Sequence, residues 1–410
     1  MTVTVIRNCR LLDLEARECR EGFHIVVEGD RIREVADRPV KSDGARVIEA
    51  QGRTVMPGLI DAHVHVFAIH LNQALTADMP LTLMTAAATH RLKGMLDRGF
   101  TSVRDVAGGD YGIQQAVERG LIPGPRLFVS GQAISQTGGH GDHRLRTDDS
   151  EPCSCASALN RMCRIADGPD AVRKAVREEL RKGANHIKLL VSGGVGSPHD
   201  PLESRQFSAE EVRAAVDEAT AWNTYVCAHS YTSRSTIHAV EAGVRTIEHG
   251  NLIDRAAAEL MARKGVFMVP TLVCYDESLR YGKEMGLKPV VMAKLEHANS
   301  RGIEMLSICR EAGVKMGFGT DLMGELHVAQ SREFSIRREV LPAAEVIAAA
   351  TVVNAEILNQ SGELGVIAPG ALADLLVVDG DPLKDINLLQ GQGEHLSVIM
   401  KGGQLYQCRI

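Results

Sequence analysis

Between about residues 58 and 355 the chain alternates short apolar runs with helix-like stretches, and that alternation limits the fold more than any other feature. The strand candidates are "LIDAHVHV", "FTSVRDVAG", "RLFVSGQAIS", "HIKLLVSGG", "TYVCAHSY", "RTIEHGN", "VFMVPTL" and "KMGFGTD", eight in all. The stretches between them carry helix boundaries. In "SAEEVRAAVDEATA", Ser208 is followed three residues later by Glu211, the pattern of a capping box. In "GPDAVRKAVREELRKGA", Pro169 stands near the start and Gly183 just past the end, the usual asymmetry of a helix. Strand–helix units in succession predict an α/β fold with a parallel sheet. Eight of them predict a (β/α)8 TIM-type barrel, which commonly takes ~250 residues or more.

The two ends have another texture. "FHIVVEGDRIREV" is a pair of β-rich runs around Glu28, Gly29 and Asp30, a hairpin signal. Near the other end, "ADLLVVDGD" is strand-like, and "SVIMKGGQLYQ" places Gly402 and Gly403 where a two-residue hairpin turn wants positive φ. The organisation expected is therefore a barrel over 58–355 beside a small β-sandwich domain built from both chain ends, 1–57 and 356–410. With 410 residues at 44% hydrophobic and 24% charged, there is ample material for both cores.

Composition narrows the partners. A net charge of −6 argues against a general nucleic-acid binder, which needs a basic surface. No apolar run approaches the roughly 18 residues of a membrane span, and "MTVTVIRNCRLLDLEARE" lacks the pattern of a secretory signal. The nine cysteines are an odd number and mostly sit singly, which reads as reduced thiols in the cytoplasm. Cys153, Cys155 and Cys163 cluster, but not at a usual zinc-ribbon spacing.

In a barrel of this kind the active site lies at the carboxyl ends of the strands. The first candidate ends with His63 and His65, which share a face because side chains alternate, roughly 6.6 Å apart along the strand. The fourth carries Lys188, the fifth His229, the sixth His249 and the eighth Asp321. A lone histidine on a strand is more often structural than a ligand. Together, however, these nitrogen and oxygen donors suit Zn²⁺ or a harder divalent ion. A buried lysine tends to lose its proton, and a neutral amine can react with CO₂ to give a carbamate able to bridge two ions. The set then divides into His63, His65 and Asp321 on one ion and His229 and His249 on the other, with carboxylated Lys188 between them.

The motifs "HVH", "IKLLVSGG", "AHSY", "EHGN" and "GTD", flanked by "MPGLIDAHVH" and "GVIAPGALADLLVVDGDP", resemble the amidohydrolase superfamily. Within it the likeness is to the binuclear, carboxylated-lysine branch of prolidase-like and imidazolonepropionase-related enzymes. The resemblance covers nearly the whole chain and places His63, His65, Lys188, His229, His249 and Asp321 on family ligand positions. It implies two divalent ions, a dipeptide or other small-molecule substrate, and a homo-oligomer. The implied reaction is hydrolysis of an amide in a dipeptide of the Xaa-Pro type, or in an N-acyl amino acid, by a hydroxide bridging the ions. Asp321 would take the hydroxide's proton and pass it to the leaving amine. Tyr231, and His140 in the Gly-rich loop "SQTGGHGDH", match positions that touch the carbonyl oxygen or the substrate carboxylate in prolidase-like relatives.

Arg104 and Asp105 are open to reading as an internal ion pair or as substrate contacts, and His143, His199 and His327 also fall in mouth loops. The long segment 136–168 is expected to lie over the mouth. Two alternatives stand beside the dipeptidase: a one-metal hydrolase of cyclic amides or a deaminase of the imidazolonepropionase type, and a non-catalytic scaffold, against which the full ligand set speaks.

Overall fold

The computed structural model describes residues 2–76, 79–149, 161–197 and 199–410, apart from the side chains of residues 73 and 74. Cys153 and Cys155 lie outside the described residues; Cys163 is a free thiol. Among the described residues, no helix is long and apolar enough to cross a membrane.

The amino-terminal part forms β1 (Val3–Asp13), β2 (Glu18–Glu28), β3 (Arg31–Ala36), β4 (Arg46–Glu49) and β5 (Thr54–Pro57). The middle of the chain follows with β6 (Leu59–Val64), β7 (Phe100–Asp105), β8 (Arg126–Val129), β9 (Ala133–Ser135) and β10 (Cys163–Ile165). Next come β11 (Ile187–Leu190), β12 (Val226–Thr232), β13 (Thr246–Leu252) and β14 (Phe267–Val269). The far end supplies β15 (Leu375–Val378), β16 (Leu396–Lys401) and β17 (Gln404–Cys408). Strands from both ends meet in one 8-stranded sheet ordered β17-β16-β15-β5-β1-β2-β3, with β4 on β1. The β2–β3 and β16–β17 hairpins are antiparallel, and Gly402 and Gly403 turn the second with φ of 53° and 71°. Only glycine visits that region freely at two successive positions.

The middle strands run parallel in a 3-stranded sheet, β6-β7-β8, and a 6-stranded sheet, β10-β9-β11-β12-β13-β14. Their residues are buried on both faces, as parallel sheets require. The helix Ala209–Ala221 begins on a complete capping box between Ser208 and Glu211. The helix Pro169–Arg181 begins at its proline, and Gly183 follows it at φ 98°.

"KMGFGTD" was expected to form the eighth strand and instead makes a single parallel bridge, Met268 to Met316. The cause is Asn354. Its amide takes the hydrogen bonds a neighbouring strand would, with Oδ1 accepting from Phe318 N at 3.0 Å and Nδ2 donating to Phe318 O at 2.8 Å and Ile60 O at 2.6 Å. A Cβ on Gly317 would stand 2.5 Å from Asn354 Oδ1, so glycine is needed there. The segment still lies between the two parallel sheets: Gly317 N donates to Met268 O at 2.8 Å, and Ala62 N to Phe318 O at 2.8 Å. Across the other gap, Asn185 N donates to Val129 O at 2.7 Å.

Candidate metal centre

The carboxyl ends of these strands open on one cavity of about 440 Å³. His63, His65, His140, Lys188, His229, Tyr231, His249 and Asp321 all line it, as do His143 and His199. His327 does not; it is buried nearby with neither ring nitrogen partnered.

Asp321 sits at the middle of the cluster. Its Oδ1 is 3.5 Å from His63 Nε2 and 3.1 Å from His65 Nε2, and its Oδ2 is 3.9 Å from His249 Nδ1. Donor atoms of His63, His249 and Asp321 lie within 4.8 Å of one another. The His249 ring is 4.7 Å from that of His63 and 4.6 Å from that of His229, so the cluster continues across the cavity floor. His63 Nε2 and Asp321 Oδ1 are buried and have no hydrogen-bond partner. Facing lone pairs left unsatisfied in an interior are costly, and a cation between them satisfies both. The residues present therefore fit a divalent ion.

Electrostatics prepare these donors. Burial, reinforced by the Lys188 ammonium, holds the His63 imidazole well below its ordinary pKa; burial and neighbouring imidazoles do the same for His229 and His249. Neutral imidazole is the form that ligates metal. Burial alone would raise Asp321, but His63 and His65 outweigh it and hold the carboxyl below its usual value. Lys188 is only 2% exposed, and among the described residues it has no ion-pair or hydrogen-bond partner. Such a side chain is almost never buried unpaired.

Two of the candidate ligands also have left-handed backbone. His249 has φ 74° and Asp321 has φ 51°, left-handed values for residues with a Cβ. Each costs about 1–3 kcal/mol and persists where the surroundings enforce it, commonly at functional sites. At His249 the distortion breaks strand alternation, so that Glu248 and His249, consecutive in sequence, both reach His63.

The mouth carries two further groups. The His140 ring stacks on that of His229 at 4.5 Å, and its Nδ1 is 2.7 Å from Ser197 Oγ, which in turn bonds Asp200. A Cβ on Gly194 would lie 2.2 Å from the His140 ring, so the "SGG" turn must be bare beneath it. Lys294 donates to the carbonyls of Gly194, Ser197 and Asp200 at 3.0, 2.7 and 2.6 Å, tying down the whole loop. Tyr231 stacks on His249 at 5.2 Å, and its hydroxyl is 2.8 Å from that of Tyr275.

Arg104 and Asp105 do not pair with each other, because successive strand residues face opposite ways. Arg104 donates to Glu248 Oε1 at 2.7 Å, while Asp105 accepts the backbone N–H groups of Val66, Ala107 and Gly109. Burial pushes the Asp105 carboxyl up to about 6. Sequence reasoning overlooked Glu248, Asp61, Thr271 and Tyr275. Asp61 is completely buried and accepts from His63 N, Thr320 Oγ1 and Gln330 Nε2 at 3.0, 2.6 and 2.9 Å. Thr271 Oγ1 lies 2.9 Å from His249 Nδ1. Two of them had a signal in position, Asp61 and Glu248 standing within two residues of a donor on the same strand, whereas Thr271 follows β14 and Tyr275 lies in the helix Leu272–Tyr281.

Comparison with known proteins gives this arrangement a family. A model described as "Amidohydrolase family" matches residues 54–405. An ochratoxinase of Aspergillus niger is 33% identical over 368 residues, covering 86% of this chain and 75% of that protein. A crystal structure of a prolidase complexed with N-methylphosphonate-L-proline superposes with a TM-score of 0.97 at 52% identity, covering 99% of this chain and 100% of that one. A Xaa-Pro dipeptidase crystallised with methionine in its active site reaches 0.89 at 30% identity, with coverage of 99% and 100%. The chain belongs to the amidohydrolase family, and it is a hydrolase acting on amide bonds.

Proposed function

We propose that the protein is a metal-dependent hydrolase cleaving the amide bond of a dipeptide of the Xaa-Pro type or of an N-acyl amino acid. The observation that carries this reading is Lys188, buried without a hydrogen-bond or ion-pair partner among four imidazoles and the Asp321 carboxylate in a cavity large enough for a dipeptide. The similarity to a prolidase and to a Xaa-Pro dipeptidase supports it.

His63, His65 and Asp321 would hold one divalent ion, His229 and His249 the other, and Lys188, carboxylated by CO₂, would join them. Zn²⁺ suits this donor set. Such a pair of ions supplies a water activated near neutral pH and a polarised carbonyl. The remaining work falls to side chains. Asp321, with both oxygens turned toward the imidazole cluster, collects the water's proton and returns it to the leaving amine, which cannot depart unprotonated. The Tyr231 hydroxyl and the His140 ring, both packed against His229, receive the substrate's carboxylate and carbonyl oxygen. The apolar wall of Leu190, Val195, Leu287 and Leu295 keeps bulk water out.

The same reading takes β6, β7, β8, β11, β12, β13 and β14 with the 315–321 segment as the eight strands of a closed (β/α)8 barrel, with β9 and β10 outside that ring, and the end-to-end sheet as part of a small β-sandwich domain. It takes domain limits near 58 and 355, and a homo-oligomer in the cytoplasm.

The test pairs metal analysis of protein purified without chelator with a library of dipeptides and N-acyl amino acids. Near two ions per chain and release of proline from Xaa-Pro substrates is the expected result. About one ion per chain with no dipeptide cleaved would refute it. A second reading has one observation in its favour: the tightest donor group, His63, His249 and Asp321, is enough for a single ion. A one-metal enzyme opening cyclic amides or deaminating a heterocycle would instead act on cyclic imides in the same assay.

A further inference from the structure

Arg104 and Glu248 are both completely buried, and the amide chemistry above uses neither. A buried ion pair seldom stabilises a fold more than apolar side chains of the same volume would. Its retention here calls for another reason, and the contacts supply one.

Arg104 is held from three sides. Its Nε donates to Ala62 O at 2.6 Å, its Nη1 to Thr246 Oγ1 at 3.3 Å and its Nη2 to Glu248 Oε1 at 2.7 Å. The Thr246 hydroxyl donates to the same Oε1. Glu248 Oε2 is thus left for a single partner, His63 Nδ1, at 2.7 Å. A carboxylate only accepts, so Nδ1 must carry the imidazole proton. The bare nitrogen of His63 is then Nε2, the buried atom without a partner that faces Asp321. The backbone of His63 is fixed as well, with its N–H on Asp61 Oδ1 at 3.0 Å and its carbonyl accepting from Asp321 N at 2.8 Å.

We propose that Glu248 is a positioning residue: clamped by Arg104 and Thr246, it sets the tautomer and ring orientation of His63 and thereby the metal affinity of the centre. The proposal rests on the metal-centre reading above. It explains why glutamate directly precedes His249, where strand alternation would turn it away from the site. The left-handed backbone at His249 lets both side chains reach His63.

The experiment uses the full chain, stripped of metal and titrated with Zn²⁺, together with ¹⁵N NMR of its histidine rings. In the wild type, the His63 signals should show the Nδ1–H form before metal is added; the Nε2–H form would overturn the proposal without any variant being made. Glu248→Gln should weaken binding of the tighter ion about 10- to 100-fold, the usual effect of losing a histidine's outer partner. It should also move His63 out of the pure Nδ1–H form. In a His63→Gln background the same change should cost nothing more. Zn²⁺ affinity within twofold of wild type, with an unaltered His63 tautomer, would overturn the proposal while leaving the metal centre standing. Should Glu248→Gln fail to fold, Thr246→Val removes one donor to Oε1 and should loosen Zn²⁺ by a few fold; no change there would overturn it equally. A wild type that binds no divalent ion would instead defeat the metal-centre reading, and the role of Glu248 with it.

Discussion

The end-to-end sheet buries apolar side chains almost throughout, whereas the parallel strands bury charged side chains beside their apolar ones. Inside the sheet lie Ile6, Ile25, Val55, Leu375, Val377 and Val398, packed as an ordinary apolar core. At the carboxyl ends of the parallel strands the chain buries Asp61, Arg104, Asp105, Lys188 and Glu248, each at most 2% exposed. Both regions exclude water equally well. Only one of them pays for buried charge, and that expense coincides with left-handed backbone at His249 and Asp321. Where a fold accepts such costs without a stability return, the interior is being arranged for chemistry.

Substitutions can separate the two regions. The largest effect is expected at Lys188. Lys188→Ala should lower kcat/KM on Xaa-Pro substrates by about 10³-fold, or about 4 kcal/mol, and reduce the ion content below two per chain. Lys188→Glu, which restores a carboxylate, should recover part of it. Leu375→Ala in the sheet should do the reverse: a loss of about 3 kcal/mol in denaturant unfolding, with the ion content unchanged. If metal is lost there too, the two regions are not independent.

A smaller, pH-dependent effect belongs to the parallel region. His186 and His327 are buried without partners, and burial holds both well below the ordinary imidazole value of 6.5. They remain neutral in the fold but take up protons once unfolded, so stability falls as pH drops below 6.5. The slope approaches about 1.4 kcal/mol per pH unit for each histidine. Asp61 and Asp105, raised to about 6 by burial, oppose this between 3.8 and 6, because there the fold binds more protons than the unfolded chain. Denaturant melts of metal-free protein at pH 7.5 and 6.0 should show the loss; equal stability at both would contradict it. The smallest effect is expected on the surface. Lys93→Ala breaks an exposed pair with Asp97 and should change stability by less than about 0.5 kcal/mol and activity not at all.

What could be read from the sequence was whatever local rules govern. The Ser208–Glu211 box and the Gly402–Gly403 turn are dictated by hydrogen bonds and φ within a few residues, and both are present. The histidines and Asp321 were visible because they interrupt apolar strands at their ends. Other features depend on partners distant in sequence. Asn354 replaces a strand neighbour for Phe318 from 36 residues away, which no period-two pattern reveals. Glu248 was overlooked because period-two alternation does not place two consecutive residues at one site, and the left-handed backbone at His249 breaks that alternation. Arg104 and Asp105 were legible as buried charges but not as unpaired with each other, since Glu248 lies 144 residues from Arg104. Ser197 and Asp200 reach His140 through loop geometry that spacing does not encode.

Strand β5 has a consequence for how the molecule is made. It runs through Gly58 directly into the strand bearing His63, and its antiparallel partner is β15. The Gly58 amide itself is fastened to Asp374 O at 2.9 Å. On the ribosome, every candidate ligand is therefore translated before the segment that anchors the first of them. The strand that leads into the first ligands is therefore fastened between β1, made before it, and β15, made after the last ligand.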